Sequence, residues 1–247
     1  MKTLDDKIAA TQDTLARIVK DHQPAVFASS LALEDMVITD MIARANLPIE
    51  IFTLQTGMLH AETSNMVNVI KAHYNLTVAE FTPDEKDVTD YVEKNGKYAF
   101  YESLELRKAC CNIRKIKPLK RALSGQKSWL TGQRAEQSIT REALQTQEFD
   151  AGNSLEKFNP IADWTFDDVK QYIAQYKVPY NPLHDKGYPS IGCEPCTRAI
   201  KPDEDIRAGR WWWESKDSKE CGLHITVDAA GQMIETVGEM SSIVKQL

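Results

Sequence analysis

No stretch of the 247 residues approaches the run of about 20 apolar residues that a membrane helix requires, so the chain is read as having no membrane association. The opening MKTLDDKIAATQD is polar and acidic and lacks the apolar centre of a secretory signal, which leads us to expect a cytoplasmic protein. An excess of basic residues is missing as well. Thirty Lys and Arg against 36 Asp and Glu give a net charge of −6, which argues against a broad nucleic-acid face. Cysteine is too sparse for a disulfide scaffold: there are five, an odd number, at positions 110, 111, 193, 196 and 221. Glycine is absent from the turn at Ser29-Ser30, so that turn is neither a Walker A loop nor a Rossmann fingerprint. There is no internal repeat and no low-complexity segment.

What the chain does have is alternation of strands and helices. Leu4, Ile8, Leu15, Ile18 and Val19 recur at helical spacing. Buried strands are expected at PAVFASS (24–30), IEIFTL (49–54), LTVAEF (76–81) and KSWLTG (127–132), with a last strand at Phe158 to Ile161. Helices are expected at 34–45, 60–74 and 84–95. A long one is expected over 102–124, kinked or broken at Pro118, which lacks the N–H that would bond the Arg114 carbonyl. Thr165 is placed to cap a helix in FDDVKQYIAQY. From 178 to 224 periodicity fades, and a stretch that long is usually functional or disordered. The fold class is therefore α/β, a mostly parallel sheet covered by helices on both faces.

Two adjacent cysteines, Cys110 and Cys111, followed by Cys193-Glu194-Pro195-Cys196, suggest four thiolates on one metal centre; small buried thiols are the bland alternative. Adjacent helical side chains diverge by about 100°. A Zn–S₄ site needs its sulfurs roughly 3.8 Å apart, whereas a cubane cluster takes one thiolate at each of four irons, so the spacing favours [4Fe–4S] over zinc. Arg114 and Lys115 follow the pair at i+4 and would share its face, where cations offset cluster charge and attract an anion. Lys117, Lys120 and Arg121 fit a solvated basic face better. A second set, Arg134, Arg141, Arg198, Arg207 and Arg210, lies in irregular chain and suits phosphate or sulfate, or is scattered surface arginine.

Ser29 and Ser30 follow a strand and open a helix, a natural anion cradle; Thr56-Gly57 after the next strand is a similar, weaker signal. Glu34 and Asp35 are explained well enough by the helix dipole. Cys221 lies in KECGLH, where Lys219 and His224 favour thiolate and Glu220 opposes it. Trp211, Trp212 and Trp213 could serve the core, an aromatic wall or a partner surface.

Taken together, SLALEDMV, LQTGMLHAET, CCNIRKIKPL, TGQRAEQSITR, PYNPLHDKGYPSIGCEPCTR, RAGRWWWE and KECGLH resemble the assimilatory, thioredoxin-dependent adenylyl-sulfate reductases, the iron–sulfur branch of the phosphoadenylyl-sulfate/adenylyl-sulfate reductase family. The resemblance covers residues 26–224. It implies an adenine-nucleotide alpha-hydrolase-like fold and reduction of adenosine 5′-phosphosulfate to sulfite and AMP in sulfate assimilation and cysteine biosynthesis. The reductant would be thioredoxin or a glutaredoxin-like protein. It implies that Cys221 attacks the sulfate sulfur to form S-sulfocysteine, and that Cys110, Cys111, Cys193 and Cys196 hold a [4Fe–4S] cluster. Lys115, Arg141, Arg207 and Arg210 would bind the phosphosulfate, Ser29, Ser30, Thr56 and Gly57 would line the nucleotide pocket, and His224 would join the substrate site. Residues 1–210 would form the nucleotide- and cluster-binding domain, and 211–247 a mobile arm carrying Cys221 with a short extension. Self-association into a homo-oligomer stays open.

The chain departs from the family pattern at Ala32, where a glycine is usual, at Gln55 and Met58 in the second turn, and in the 23 residues after His224. Other readings are a reductase of the 3′-phosphorylated substrate, an iron–sulfur tRNA sulfur-transfer enzyme on the same fold, and a non-catalytic iron–sulfur sensor. The tRNA reading wants an SGGxDS loop and a broader basic surface; the sensor reading gives no reason for the solitary Cys221.

Overall fold

The computed structural model describes residues 2–137 and 144–214. Six strands form one sheet: β1 (Ala25–Ala28), β2 (Glu50–Leu54), β3 (Val78–Phe81), β4 (Ser128–Leu130), β5 (Gln147–Asp150) and β6 (Leu155–Phe158). Their order is β3-β2-β1-β4-β6-β5, parallel throughout except for the β5–β6 pair. Period-two alternation sends Phe27, Ile51 and Leu130 to one face and Val26, Phe52 and Trp129 to the other. On the first face pack α1 (Leu4–Asp21), α2 (Leu33–Arg44), α3 (Ala61–Tyr74) and α7 (Phe166–Tyr176). On the second packs α6 (Lys117–Leu123) through Leu119, Ala122 and Leu123. Among the described residues no helix is long and apolar enough to cross a membrane.

The sequence expectations for β1 to β4 hold to within a few residues, and Thr165 caps α7 in a reciprocal box with Asp168. Two expectations are corrected. The strand expected at 158–161 lies earlier, at Leu155–Phe158, because its register is set by β4; its antiparallel partner β5, polar QEFD on a sheet edge, carries no strand signal in the sequence. The long helix does not break at Pro118. It runs as α5 (Leu104–Cys111) and α6, joined by a wide π-helical turn over Asn112–Ile116. The extra residue lets the Lys117 N–H bond to Asn112 O, and proline enters in the first turn of α6, where its missing N–H is tolerated. A remaining helix, α4 (Glu85–Asn95), is capped by Asp84.

One buried polar node holds the first helical layer. The Asp40 carboxylate on α2, with no exposed side-chain surface, accepts from Tyr74 Oη (2.8 Å, α3), Tyr172 Oη (2.8 Å, α7) and Arg44 Nε (2.6 Å). Burial and this carboxylate hold both phenols well above their ordinary pKa. Removing the acceptor strands the buried Tyr172 hydroxyl and the half-buried Tyr74 hydroxyl, so Asp40→Ala is expected to lower unfolding stability by about 3 kcal/mol. Urea denaturation checks this, and Michaelis constants should not move, because no member of the node lines the site described next.

Candidate functional site

The strand order reverses direction at β1 and β4, and the loops leaving their carboxyl ends diverge there to form a crevice. A cavity of about 240 Å³ occupies it. Its walls come from the β1 loop (Ser29, Ser30, Ala32), the β2 loop (Thr56, Leu59), the β4 loop (Thr131, Gly132, Gln133), the first turn of α2, and the segment Pro189 to Gly192. Lys115, Arg207 and Arg210 line it too, so a cationic group sits in a pocket of an acidic chain. Phe52, Leu54 and Trp129 supply apolar surface of the kind an adenine ring needs.

The β1 loop is held from within and from α2. Leu31 N–H donates to Ser29 Oγ at 3.1 Å, and Ser30 N–H and Oγ both donate to Asp35 Oδ2 at 2.5 Å. Asp35 also accepts from the backbone N–H of Gly132, so one buried carboxylate staples the β1 loop to the β4 loop. Burial pushes its pKa up to about 7, against those hydrogen bonds. Asp35 is thus more than a partner of the helix dipole. Sequence offered only an acid in a first helical turn, and nothing in it revealed the burial.

The departures from the family pattern are accommodated. Ala32 has φ −89°, which needs no glycine, and the positive φ of the turn falls on Leu31 (φ 63°). Gln55 Oε1 accepts from Gly57 N–H at 3.3 Å while its amide donates to Ser64 Oγ and Glu80 Oε2. Gly57 has φ +71°, and a Cβ there would press on Arg114 Nη1. Met58 packs against the cysteines, and its carbonyl accepts from Glu194 N–H at 2.7 Å.

Cys110, Cys111, Cys193 and Cys196 are all buried and line one small second cavity with Met58, Phe100, Arg107, Arg114, Lys115 and Trp211. The second segment is brought there by an antiparallel bridge between Leu59 and Cys193 and by Thr56 Oγ1, 3.3 Å from Cys193 Sγ. The π-helical turn turns Arg114 and Lys115 inward, both buried, while Lys117, Lys120 and Arg121 stay exposed. Arg114 donates to Thr56 O at 2.7 Å and hydrogen-bonds Cys110. Burial pushes the Cys110 thiol up, opposed by Arg114 and Lys115. Burial with neighbouring Cys193 pushes Cys196 up to about 12, opposed by Lys115 and Arg210. Among the described residues no three His, Cys, Asp or Glu side chains converge as ligands of a single metal ion.

Lys115 and Trp211 line both cavities. Trp211 is buried between two guanidiniums, Arg107 4.7 Å and Arg210 4.5 Å from its ring. Arg107 in turn holds Glu214 through two bonds of 2.8 and 2.9 Å. Of the second arginine set, Arg134 and Arg198 are removed as anion ligands. Arg134 is wholly buried against Glu34 (2.9 Å), Glu136 (2.7 Å) and the Trp164 carbonyl, and Arg198 pairs with Glu204. Arg141, Cys221 and His224 lie outside the described residues.

Residues 24–199 match the phosphoadenosine phosphosulfate reductase domain. The chain is 55% identical over 222 residues to an adenosine 5′-phosphosulfate reductase of Neisseria meningitidis serogroup A, covering 90% of this chain and 91% of that one. It is 52% identical over 222 residues to the adenosine 5′-phosphosulfate reductase of Allochromatium vinosum, covering 90% and 87%. Among solved structures, the phosphoadenylyl-sulfate reductase of Candida auris in a phosphate complex superposes with a TM-score of 0.65 at 25% identity, over 81% of this chain and 98% of that one. An FMN adenylyltransferase of Candida glabrata shares the fold alone, with a TM-score of 0.51 at 12% identity over 87% and 75%. With the match over residues 24–199 spanning the sheet and all four clustered cysteines, the chain belongs to the phosphoadenosine phosphosulfate reductase family.

Proposed function

We infer that the protein is an oxidoreductase acting on a sulfur group, reducing adenosine 5′-phosphosulfate to sulfite and AMP in sulfate assimilation. The observation that carries this is the pair of cavities sharing Lys115 and Trp211: one fits a nucleotide with an anionic end, the other gathers four cysteines. The nucleotide's apolar base lies against Phe52, Leu54 and Trp129. Ser29, Ser30 and Thr56 line its pocket, whereas Gly57, expected there too, is off the cavity wall and faces Arg114; Lys115, Arg141, Arg207 and Arg210 take the phosphosulfate, with His224 assigned beside them.

Cys221 is the nucleophile, carried on the C-terminal segment; the start of the arm expected at 211–247 is anchored to the α/β body, Trp211 by Arg107 and Arg210 and Glu214 by Arg107. Its thiolate attacks the sulfate sulfur; the S–O bond to phosphate breaks and its electron pair leaves with AMP. A thioredoxin or glutaredoxin-like thiolate then attacks Cys221 Sγ, the Sγ–sulfur bond breaks, and sulfite departs with that pair. The second thiol of the reductant resolves the mixed disulfide and returns Cys221 as thiolate. Sulfur(VI) becomes sulfur(IV), and one dithiol becomes one disulfide.

Cys110, Cys111, Cys193 and Cys196 would hold a [4Fe–4S] cluster, and the donor set fits: four buried cysteines on one cavity with Arg107, Arg114 and Lys115 around them. When bound, the cluster supplies charge that organises the cations facing the substrate, and it does not carry the two electrons. The chain's own cations lower the cost of the thiolates that burial otherwise disfavours. Anaerobically purified protein is expected to contain about four irons and four acid-labile sulfides and to release sulfite from adenosine 5′-phosphosulfate with reduced thioredoxin. Stoichiometric zinc with no labile sulfide would overturn the cluster; absence of sulfite release would overturn the reaction. Comparing kcat/KM for the substrate with and without a 3′-phosphate fixes the substrate, and the expected preference is for the form without it.

A further inference from the structure

The turn that opens α2 is strained and short of caps. Leu31, a branched residue, sits at φ 63°, a conformation kept only where its surroundings hold it. The N-cap, Ala32, has no side chain able to accept an N–H of the first helical turn. The missing acceptor comes from 151 residues away: Leu33 N–H donates to His184 Nε2 at 3.2 Å. Since Nε2 accepts, the imidazole is neutral with its proton on Nδ1.

His184 is itself firmly placed. Asn181, buried, donates to Thr63 Oγ1 on α3 at 2.9 Å and accepts from Leu183 N–H, and Lys186 pairs with Glu62 at 2.7 Å. Immediately downstream, Pro189 to Gly192 form a wall of the larger cavity, and the chain runs on into Cys193. The β1 loop forms another wall, with Ser29, Ser30 and Ala32. The bond from Leu33 to His184 therefore ties one wall to the other.

We propose that His184 is a positioning residue for substrate binding: its imidazole accepts the first N–H of α2, at Leu33, and locks the strained Ser29–Ala32 turn to the segment that carries Cys193 and Cys196. The role rests on the reading of the larger cavity as the nucleotide site. His184 acts through the loop and touches no reacting atom, so its loss should weaken binding and spare the chemical step.

Two variants test this. His184→Phe keeps a planar ring and removes the acceptor; it should raise KM for adenosine 5′-phosphosulfate about fivefold and leave kcat within about twofold. His184→Gln keeps an acceptor and should stay within about twofold of wild type in both constants. His184→Phe should keep the wild-type far-UV circular dichroism and a cooperative urea transition, which separates the loss of this one bond from a general loss of folding. An unchanged KM in His184→Phe, equal losses in His184→Phe and His184→Gln, or a fall confined to kcat would each overturn the proposal. AMP binding by calorimetry separates the two readings. A wild-type protein that does not bind AMP overturns the cavity assignment, whereas wild type and His184→Phe binding AMP equally overturn the role of His184 alone.

Discussion

Serine at position 221 is expected to stop sulfite formation, lowering kcat by about 10³-fold or more, with KM for adenosine 5′-phosphosulfate within a few-fold of wild type. Two independent steps fail. A thiol titrates near pH 8.5, so a useful fraction is thiolate at neutral pH; a hydroxyl is not ionised there, and the bases in KECGLH, Glu220 and His224, are too weak to ionise it in the ground state. Even if the serine oxygen did reach the sulfate, the product would be an O-sulfate ester. A dithiol reductant cannot attack that oxygen and expel sulfite, because the step depends on breaking a bond between two sulfurs. The variant should retain its iron and labile sulfide, since the other four cysteines are untouched. Anaerobic single-turnover assay, with mass spectrometry of the protein after incubation with substrate alone, distinguishes the steps: wild type should accumulate a sulfonated adduct and Cys221→Ser should not. Full activity in the variant would remove the nucleophile assignment.

Much of this arrangement is legible in the residues. The central strands are apolar runs of β-branched and aromatic residues bounded by turn signals, so β1 to β4 could be located directly. The same rule failed for β5, whose QEFD has no apolar face because an edge strand need bury little. Pro118 signalled a disturbed helix, but not that the chain would absorb it upstream in a π-helical turn. That choice depends on the tertiary reward for burying Arg114 and Lys115 beside the cysteines. Local spacing likewise cannot tell a buried arginine from an anion ligand. Arg134 and Arg207 look alike in sequence, and only the packing gives Arg134 to Glu34 and leaves Arg207 on the cavity wall. His184 and Asp35 were missed for the same reason: each acts on a backbone N–H of a segment whose proximity is set by the sheet order and by long-range packing.

Gly132→Ala is the second substitution expected to have a large effect, raising KM for adenosine 5′-phosphosulfate about thirtyfold and lowering stability by about 2 kcal/mol. A Cβ at this position would sit on Asp35 Oδ1, and it would also lie only 3.1 Å from Asp35 Cγ and 3.2 Å from Asp35 N. A flexible side chain could swing aside cheaply. This one cannot, because its other oxygen holds Ser30 N–H and Oγ at 2.5 Å and its backbone belongs to the first turn of α2. Either the β4 loop withdraws or the carboxylate moves and takes Ser30 with it, and both loops line the cavity. Gly152→Ala, in the β5–β6 turn and away from the cavity, is the control expected to leave KM unchanged. The titration of Asp35 gives a second readout. With its folded pKa raised to about 7, well above the ordinary carboxylate range near 4, the native state keeps a proton that the unfolded chain has already released. Its contribution to stability is therefore full below pH 4 and is lost as pH rises through about 7. A carboxyl displaced toward the cavity is less buried, so its pKa falls and that loss shrinks. Urea unfolding at pH 5 and pH 8 should show a smaller decline for Gly132→Ala than for wild type; equal declines, or an unchanged KM, would mean that Asp35 does not staple the two loops.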